Sequence, residues 1–140
     1  MNRQGGLRPQ GFTLLELLVV IMIIGLLTGI VAPRLLGQIS RSEATTARAQ
    51  IDAFDKALQA YRIDLGRFPS DGEGLAALVT MPSSEPRWRG PYLKSGVPVD
   101  PWGTPYVYRA RSTRGKDFDL YSLGADRAPG GVGDDADIAN

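Results

Sequence analysis

The sequence contains no cysteine and no histidine. The first absence excludes disulfides and thiol nucleophiles, and the two together exclude zinc sites built from the usual ligands. Histidine is also the most common general base in enzymes, and the Ser, Asp and Glu residues that remain form no recognisable arrangement for nucleophilic or acid–base catalysis. An enzyme is therefore not expected.

Neither sign of charge is in large excess, because 16 basic and 15 acidic residues give a formal net charge of +1. No dense Lys/Arg patch interleaved with aromatic residues is present, so a nucleic acid is not an expected partner. The 140 residues allow one small domain. If the N-terminal segment enters a membrane, about 110 residues remain for a soluble core.

One long apolar run is present at residues 12–32, where only Thr13, Glu16 and Thr28 are polar. At about 1.5 Å per residue, a helix of this length spans about 31 Å, which is the thickness of a bilayer core. A secretory signal peptide has a shorter apolar core and a clear small-residue cleavage site. The run therefore predicts a transmembrane helix.

The orientation of this helix follows from its flanks. Arg3 and Arg8 precede the run without any acid. The positive-inside tendency places this basic N-terminus in the cytoplasm and residues 34 onward on the far side, although Arg34, Arg41 and Arg48 oppose that tendency.

Glu16 is the one ionisable residue in the apolar run. A carboxylate near a helix centre in a bilayer costs about 2.5–3.5 kcal/mol, so it normally finds a partner or serves a function. One interpretation is that Glu16, about one turn from the interface, extends its side chain to the headgroups. The other requires a cation at the same depth, and cleavage after Gly11 would create one on Phe12. That α-ammonium could pair with Glu16 of its own chain or of a neighbouring chain.

Beyond the run, apolar residues recur with 3-4 spacing and predict an amphipathic helix whose stripe packs on the protein's own head. Gly66 and Pro69 in the segment "GRFP" end this helix. The stripe consists of Ala44, Ala47, Ile51, Phe54, Leu58, Tyr61 and Leu65.

The remaining head is predicted to be loop, with one short helix at 73–79, followed by a β-hairpin. The segments 104–110 and 117–123 are rich in aromatic and β-favouring residues, and we expect them to pair antiparallel and pack on the helical stripe. The expected fold class is α+β: a long N-terminal α-helix, transmembrane in its first half, packed against a small C-terminal antiparallel β-sheet.

The C-terminal segment combines Asp126 and several glycines with three further acids, Asp134, Asp135 and Asp137. Carboxylates on a flexible loop without nitrogen or sulfur ligands suit a hard cation, and calcium with its loose geometry suits them better than octahedral magnesium. The acid spacing of an EF-hand is missing. From these residues alone, a solvated tail and a calcium site both remain open.

The segment "GFTLLELLVVIMIIGLLTGIVAP" at 11–33 resembles the class III signal of type IV pilins and type II secretion pseudopilins. The cleavage glycine, N-terminal Phe, fifth-place Glu and helix-breaking Pro33 coincide in register. The resemblance implies that prepilin peptidase cuts between Gly11 and Phe12 and methylates the new amine. It also implies that Glu16 neutralises the Phe12 amine of an adjacent subunit during assembly.

Three later blocks are similar to successive motifs of the major pseudopilins, or G subunits, of type II secretion: "GRFPSDGEGLAAL", "GPYLKSGVPVDPWGTPYVYR" and "FDLYSLGADRAPGGVGDDADI". The similarity implies a non-enzymatic structural subunit for protein secretion, stored in inner-membrane lipid with a cytoplasmic N-terminus and polymerised into a periplasmic filament. The implied partners are further copies of the chain, prepilin peptidase, the inner-membrane assembly platform and minor pseudopilins. Alternatives are a type IV pilus subunit and a membrane-anchored periplasmic calcium-binding module that does not polymerise.

The same resemblance divides the chain into three parts. These are a leader at 1–11, a transmembrane and filament-core helix at 12–32, and a periplasmic head at 33–140. Within the head, the amphipathic helix runs to about residue 65, and a variable loop region follows at 66–103. The sheet and the calcium loop occupy residues 104–140.

A calcium ion in the C-terminal loop is a further implication of the resemblance. Carried over by position, Asp126, Asp135 and Asp137 match the family's acidic ligands, Leu123 would give a backbone carbonyl, and Asp134 is an alternate ligand. Another carbonyl is expected from residues 127–132. Arg127 stands where the family usually has glycine, which places a cation and a bulkier side chain in a tight turn.

Overall fold

The computed structural model describes residues 11–140, except for the side chains of residues 35, 36 and 134. It contains one long helix and a small antiparallel sheet, which confirms the α+β class. The helix is α1 (Leu14–Leu65), and the strands are β1 (Val107–Arg109), β2 (Asp119–Ser122) and β3 (Ile138–Ala139), with 3-10 helices at Gly74–Leu78 and Gly133–Asp135. The chain forms two compact units, which divide within α1 after Gln38.

In the N-terminal unit, α1 begins at Leu14, close to the start of the apolar run, and Pro33 lies inside the helix. The described side chains from residue 11 to residue 34 are all exposed. Thr28, one of the few polar residues here, donates its hydroxyl to the Ile24 carbonyl at 2.8 Å, so its polar group is satisfied within the helix. By length and composition, α1 can cross a membrane.

The predicted stripe forms the helical side of the core in the C-terminal unit. Its members from Ala47 to Leu65 are buried, as is Ala57 between them, and Ala44 is partly buried against the same cluster. The helix ends where the sequence indicated, because Gly66 adopts a φ of 77° and donates its N–H to the Arg62 carbonyl at 2.7 Å. The amphipathic interpretation of this segment is confirmed.

The predicted hairpin is also confirmed, with shorter strands. β1 and β2 pair antiparallel with Val107 opposite Tyr121 and Arg109 opposite Asp119. The connection between them does not extend the ladder, because Ser112 and Thr113 hydrogen-bond to the buried Asp119 carboxylate at 2.6–3.0 Å instead.

A third strand was not predicted. β3 pairs antiparallel with β2, with Ile138 opposite Ser122, and Ile138 is buried. Residues 138 and 139 therefore belong to the sheet, whereas most of the acidic segment before them is exposed. Two residues are too few to give a period-2 pattern in the sequence.

Aromatic contacts join α1 and the segment after it to the residues that precede β1 and β2. The rings of Phe54 on α1 and Tyr106 before β1 lie edge-to-face at 5.1 Å, and those of Phe68 and Phe118 do so at 5.0 Å. Such pairs add about 0.5–1.5 kcal/mol to the free energy of area burial.

The short helix predicted at 73–79 is a 3-10 helix at Gly74–Leu78. Glu73 fixes the turn that precedes it, since its carboxylate accepts the Ser70 N–H at 2.7 Å and two hydrogen bonds from the Arg67 guanidinium at 2.7 and 2.9 Å. These bonds, those of Arg67 first, lower the pKa of Glu73 from 4.5 to about 2. The carboxylate therefore stabilises the fold only while it is ionised.

We predict that Glu73→Gln lowers the free energy of unfolding at neutral pH by about 1–2 kcal/mol, less than the full pKa shift implies because Arg67 is 42% exposed. Because the folded pKa lies below 4.5, the wild-type advantage is complete above about pH 4.5 and is lost as the pH falls toward about 2. Denaturation of the full chain in detergent, followed by tryptophan fluorescence at several pH values, measures this difference.

The matched control is Asp52→Asn, which removes a carboxylate paired with Lys56 at 2.6 Å on the exposed helix face. It should change the free energy of unfolding by at most about 0.5 kcal/mol. A wild-type advantage over Glu73→Gln that stays constant down to pH 2 would contradict the prediction.

Candidate functional site

The N-terminus of α1 contains the residues predicted for processing and assembly. Gly11 and Phe12 are exposed and non-helical, and they directly precede the helix; the rest of the predicted leader, residues 1–10, lies outside the described residues. Thr13 and Glu16 bond reciprocally: the Thr13 hydroxyl accepts the Glu16 N–H at 3.2 Å, and Glu16 Oε2 accepts the Thr13 N–H at 3.4 Å. This is a capping box.

The capping box determines where the Glu16 carboxylate lies. It reaches back to the backbone nitrogen of residue 13, the residue next to Phe12. The same end of the helix presents the positive end of the helix dipole, which favours a negative charge. Sequence reasoning considered only headgroups or the Phe12 amine as partners of Glu16 and missed the role of Thr13, although the T-x-x-E spacing of a capping box is visible in "TLLE".

A buried carboxylate, also missed from the sequence, fixes the turn at residues 100–104. Asp100 is 3% exposed. Its Oδ1 accepts the N–H groups of Trp102 at 3.1 Å and Thr104 at 2.7 Å, and its Oδ2 accepts the Ser122 hydroxyl at 2.6 Å. The turn is thus tied to the end of β2, where the C-terminal loop begins. The available sequence signal was an Asp directly before Pro-Trp-Gly, which is typical of an Asx turn.

The predicted calcium ligands occupy different positions in the C-terminal loop. Leu123 is half-buried after β2, Asp126 is exposed with Oδ1 accepting the Ala128 N–H at 3.0 Å, and Asp135 is exposed at the end of the second 3-10 helix. The side chain of Asp134 lies outside the described residues.

Asp137 closes the loop on itself. Its Oδ2 accepts the Gly130 N–H at 3.1 Å, and its own N–H donates to the Gly130 carbonyl at 3.1 Å. Its Oδ1 is buried and has no hydrogen-bond partner among the described residues. A buried carboxylate oxygen without a donor favours a cation nearby.

Two glycines allow the Asp135 carbonyl to turn into the loop. A Cβ at Gly131 would lie 2.2 Å from this carbonyl oxygen, and one at Gly124 would lie 3.0 Å from it. Both positions therefore require glycine. The loop offers only oxygen donors, which fits calcium in its chemistry. Among the described side chains, however, no three acids are grouped as a metal site would need.

Arg127 lies in the turn that follows Asp126, as expected, and adopts a φ of 59°. Its guanidinium Nη2 donates to the Trp102 carbonyl at 2.9 Å. The cation is thus paired with the Asp100 turn, a contact that its position in the sequence does not indicate.

Comparisons with known proteins match both ends of the chain. A family model described as "Type II secretion system (T2SS), protein G" matches residues 34–140, and one described as "Prokaryotic N-terminal methylation motif" matches residues 7–32. The chain is 46% identical over 137 residues to the type II secretion system core protein G of Pseudomonas aeruginosa, with 95% of each chain covered. It is 43% identical over 136 residues to the protein of the same name from Vibrio cholerae, covering 95% of this chain and 92% of that protein.

A solved structure is also similar. The major pseudopilin from the type 2 secretion system of enterohaemorrhagic Escherichia coli matches with a TM-score of 0.61 and 32% sequence identity, covering 77% of this chain and 94% of that chain. The long helix, the small antiparallel sheet and the methylation motif define the class as a pseudopilin. The chain belongs to the type II secretion system protein G family.

Family membership confirms two expectations. The chain is a major pseudopilin of type II secretion, and it is a structural subunit and not an enzyme. With an apolar helix near its N-terminus that is long enough to cross a membrane, it is expected to be membrane-anchored and to face the periplasm.

We predict that Asp100→Asn lowers the free energy of unfolding by about 2–3 kcal/mol, because the amide replaces one of two charged acceptor oxygens and leaves a buried hydrogen-bond partner unsatisfied. Chemical denaturation of the full chain in detergent measures the loss. Asp117→Asn is the control, since its carboxylate is 60% exposed and pairs with Arg62 at 3.1 Å, so the loss there should stay below about 1 kcal/mol. Equal losses for the two variants would contradict the role of Asp100.

Proposed function

We propose that this pseudopilin is stored in the inner membrane with its N-terminus in the cytoplasm and its head in the periplasm, and that it polymerises into a periplasmic filament that drives protein export. The observation that supports this most strongly is the uncovered apolar surface of α1 from Leu14 to Val31. In water such a surface is unstable, and lipid or the same segment of neighbouring copies can cover it. Residues 12–32 would thus exchange lipid for neighbouring helices on assembly.

Cleavage after Gly11 would generate an α-ammonium on Phe12, which is the cation that the Glu16 carboxylate needs as a partner. The proposal includes cleavage by prepilin peptidase between Gly11 and Phe12 and methylation of the new amine, for which the methylation motif at residues 7–32 is the support. The capping box holds the Glu16 carboxylate next to residue 13, so a cation on Phe12 would lie within one residue of it. In a filament the same carboxylate would neutralise the Phe12 amine of an adjacent copy, which removes the cost of two isolated charges in an apolar core.

The proposed partners follow from these steps of membrane storage, processing and polymerisation. They are further copies of the chain, prepilin peptidase, the inner-membrane assembly platform and the minor pseudopilins. Family membership favours this function over a type IV pilus subunit. A membrane-anchored module that does not polymerise remains the second outcome of the test.

We predict that mature wild-type protein begins at N-methylated Phe12 and forms filaments, whereas Glu16→Ala is still cleaved but remains in the membrane fraction. Mass spectrometry of the N-terminus and filament yield in cells that contain the complete secretion system measure the two steps. Thr28→Val is the matched control, because it removes another polar group of the apolar run, bonded within the helix at 2.8 Å, without altering the charge pair.

Each step can fail separately. An N-terminus that retains residues 1–11 would contradict the processing proposal. Filament yield that is unchanged by Glu16→Ala would contradict the charge pairing, whereas a cleaved wild-type protein that forms no filaments would favour the anchored module.

We further propose that calcium binds in the C-terminal loop and stabilises the head without taking part in chemistry. The buried oxygen of Asp137 and the inward carbonyl of Asp135 support this proposal. Asp126 and the side chain of Asp135 would join them, with the Leu123 carbonyl, Asp134 and a carbonyl from 127–132 as the remaining candidates. Binding would require the carboxylates to gather more closely than they do among the described residues.

We predict that calcium raises the melting temperature of the full chain in detergent and that Asp137→Asn abolishes this rise. At free calcium about 100 times Kd, the gain is about 2.7 kcal/mol. Asp117→Asn, an exposed carboxylate outside the loop, should retain the full rise. Equal melting temperatures of the wild type in millimolar calcium and in excess chelator would exclude the site.

A further inference from the structure

The C-terminal loop, residues 125–137, is held mainly by bonds within itself. Its backbone closes through Asp137 and Gly130, and Ala136 donates its N–H to the Gly133 carbonyl at 3.3 Å. Among the residues and side chains that the structure describes, one hydrogen bond joins this loop to the rest of the head. It is the bond from the Arg127 guanidinium to the Trp102 carbonyl, at 2.9 Å.

The acceptor of this bond belongs to a rigid part of the head. The Asp100 carboxylate fixes the Trp102 turn and ties it to Ser122 at the end of β2. The Trp102 indole also donates from Nε1 to Glu43 Oε2 on α1 at 3.1 Å. Arg127 therefore connects the loop to both the sheet and the helix.

The backbone at Arg127 is strained for a residue with a side chain. A φ of 59° lies in the left-handed region, which disfavours any residue with a Cβ and favours glycine. Glycine would fit the turn with less strain, but it would have no group to reach the Trp102 carbonyl. The strained conformation persists because contacts around it hold it, including the bond from the Ala128 N–H to Asp126 Oδ1.

We propose that Arg127 anchors the C-terminal loop to the Trp102 turn without a metal, so that the loop stays ordered when calcium is withdrawn. Arg127 is a positioning residue: it acts through the Trp102 carbonyl and does not bind the metal. The part of this proposal that concerns calcium rests on the proposed function, whereas the anchor itself rests only on the contacts of Arg127.

Hydrogen exchange of the full chain in detergent, followed by mass spectrometry of peptides covering residues 125–137, tests the anchor. In excess chelator, Arg127→Gln should exchange at least tenfold faster than wild type in this loop. Arg127→Gly should do the same, although it relieves the strain at φ 59°. The matched control is Arg111→Gln, an exposed arginine outside the loop, which should exchange as wild type does. Millimolar calcium should return Arg127→Gln to wild-type protection.

The outcomes separate the anchor from the calcium site. If residues 125–137 exchanged no faster in Arg127→Gln than in wild type under chelation, the anchor would be overturned, even if calcium protects every variant. If the loop exchanged faster in Arg127→Gln, the anchor would be supported. If, in addition, calcium changed the exchange of none of the proteins, the calcium proposal would be contradicted. If the amide of Leu120 in β2 accelerated by the same factor as the loop, Arg127 would be stabilising the whole head, and the anchor would be overturned.

Discussion

The contact on which the C-terminal unit depends is the burial of one stripe of α1 beneath a sheet whose strands have only two to four residues. Such short strands are not stable alone and need a helix to cover their apolar face. Phe54 and Leu58 are at most 1% exposed, and each buried apolar side chain of this size contributes about 1.5–3 kcal/mol. The spacing of this stripe therefore decides which residues of the hairpin can become core.

Since the ladder is so short, most of the head must satisfy its backbone in another way, and three carboxylates do so. Asp100 closes one turn, Asp119 holds the β1–β2 connection, and Glu73 closes the turn before a 3-10 helix. The Ser112 hydroxyl, followed by the Thr113 N–H, lowers the pKa of Asp119. An ionised carboxylate accepts several hydrogen bonds at once, so one side chain can replace several missing bonds between strands.

The elements that the sequence predicted correctly have a local pattern. The 3-4 spacing defined the stripe of α1, and Gly66 marked its end. The contacts that were missed join residues far apart in the chain, such as Asp100 with Ser122 and Arg127 with Trp102, and no period or spacing encodes them. At the helix N-terminus, Thr13 and Glu16 were within reach of local rules, whereas the roles of Gly11, Phe12 and the acidic loop remain predictions.

The reliance on carboxylates has a consequence for how the head matures. A domain of this size outside the cytoplasm is often cross-linked covalently, but this chain has no cysteine with which to do so. Its folding therefore requires neither an oxidant nor a disulfide isomerase. Part of its stability depends instead on ionised carboxylates and is lost only in acid, because the pKa values of Glu73 and Asp119 are both lowered in the folded head.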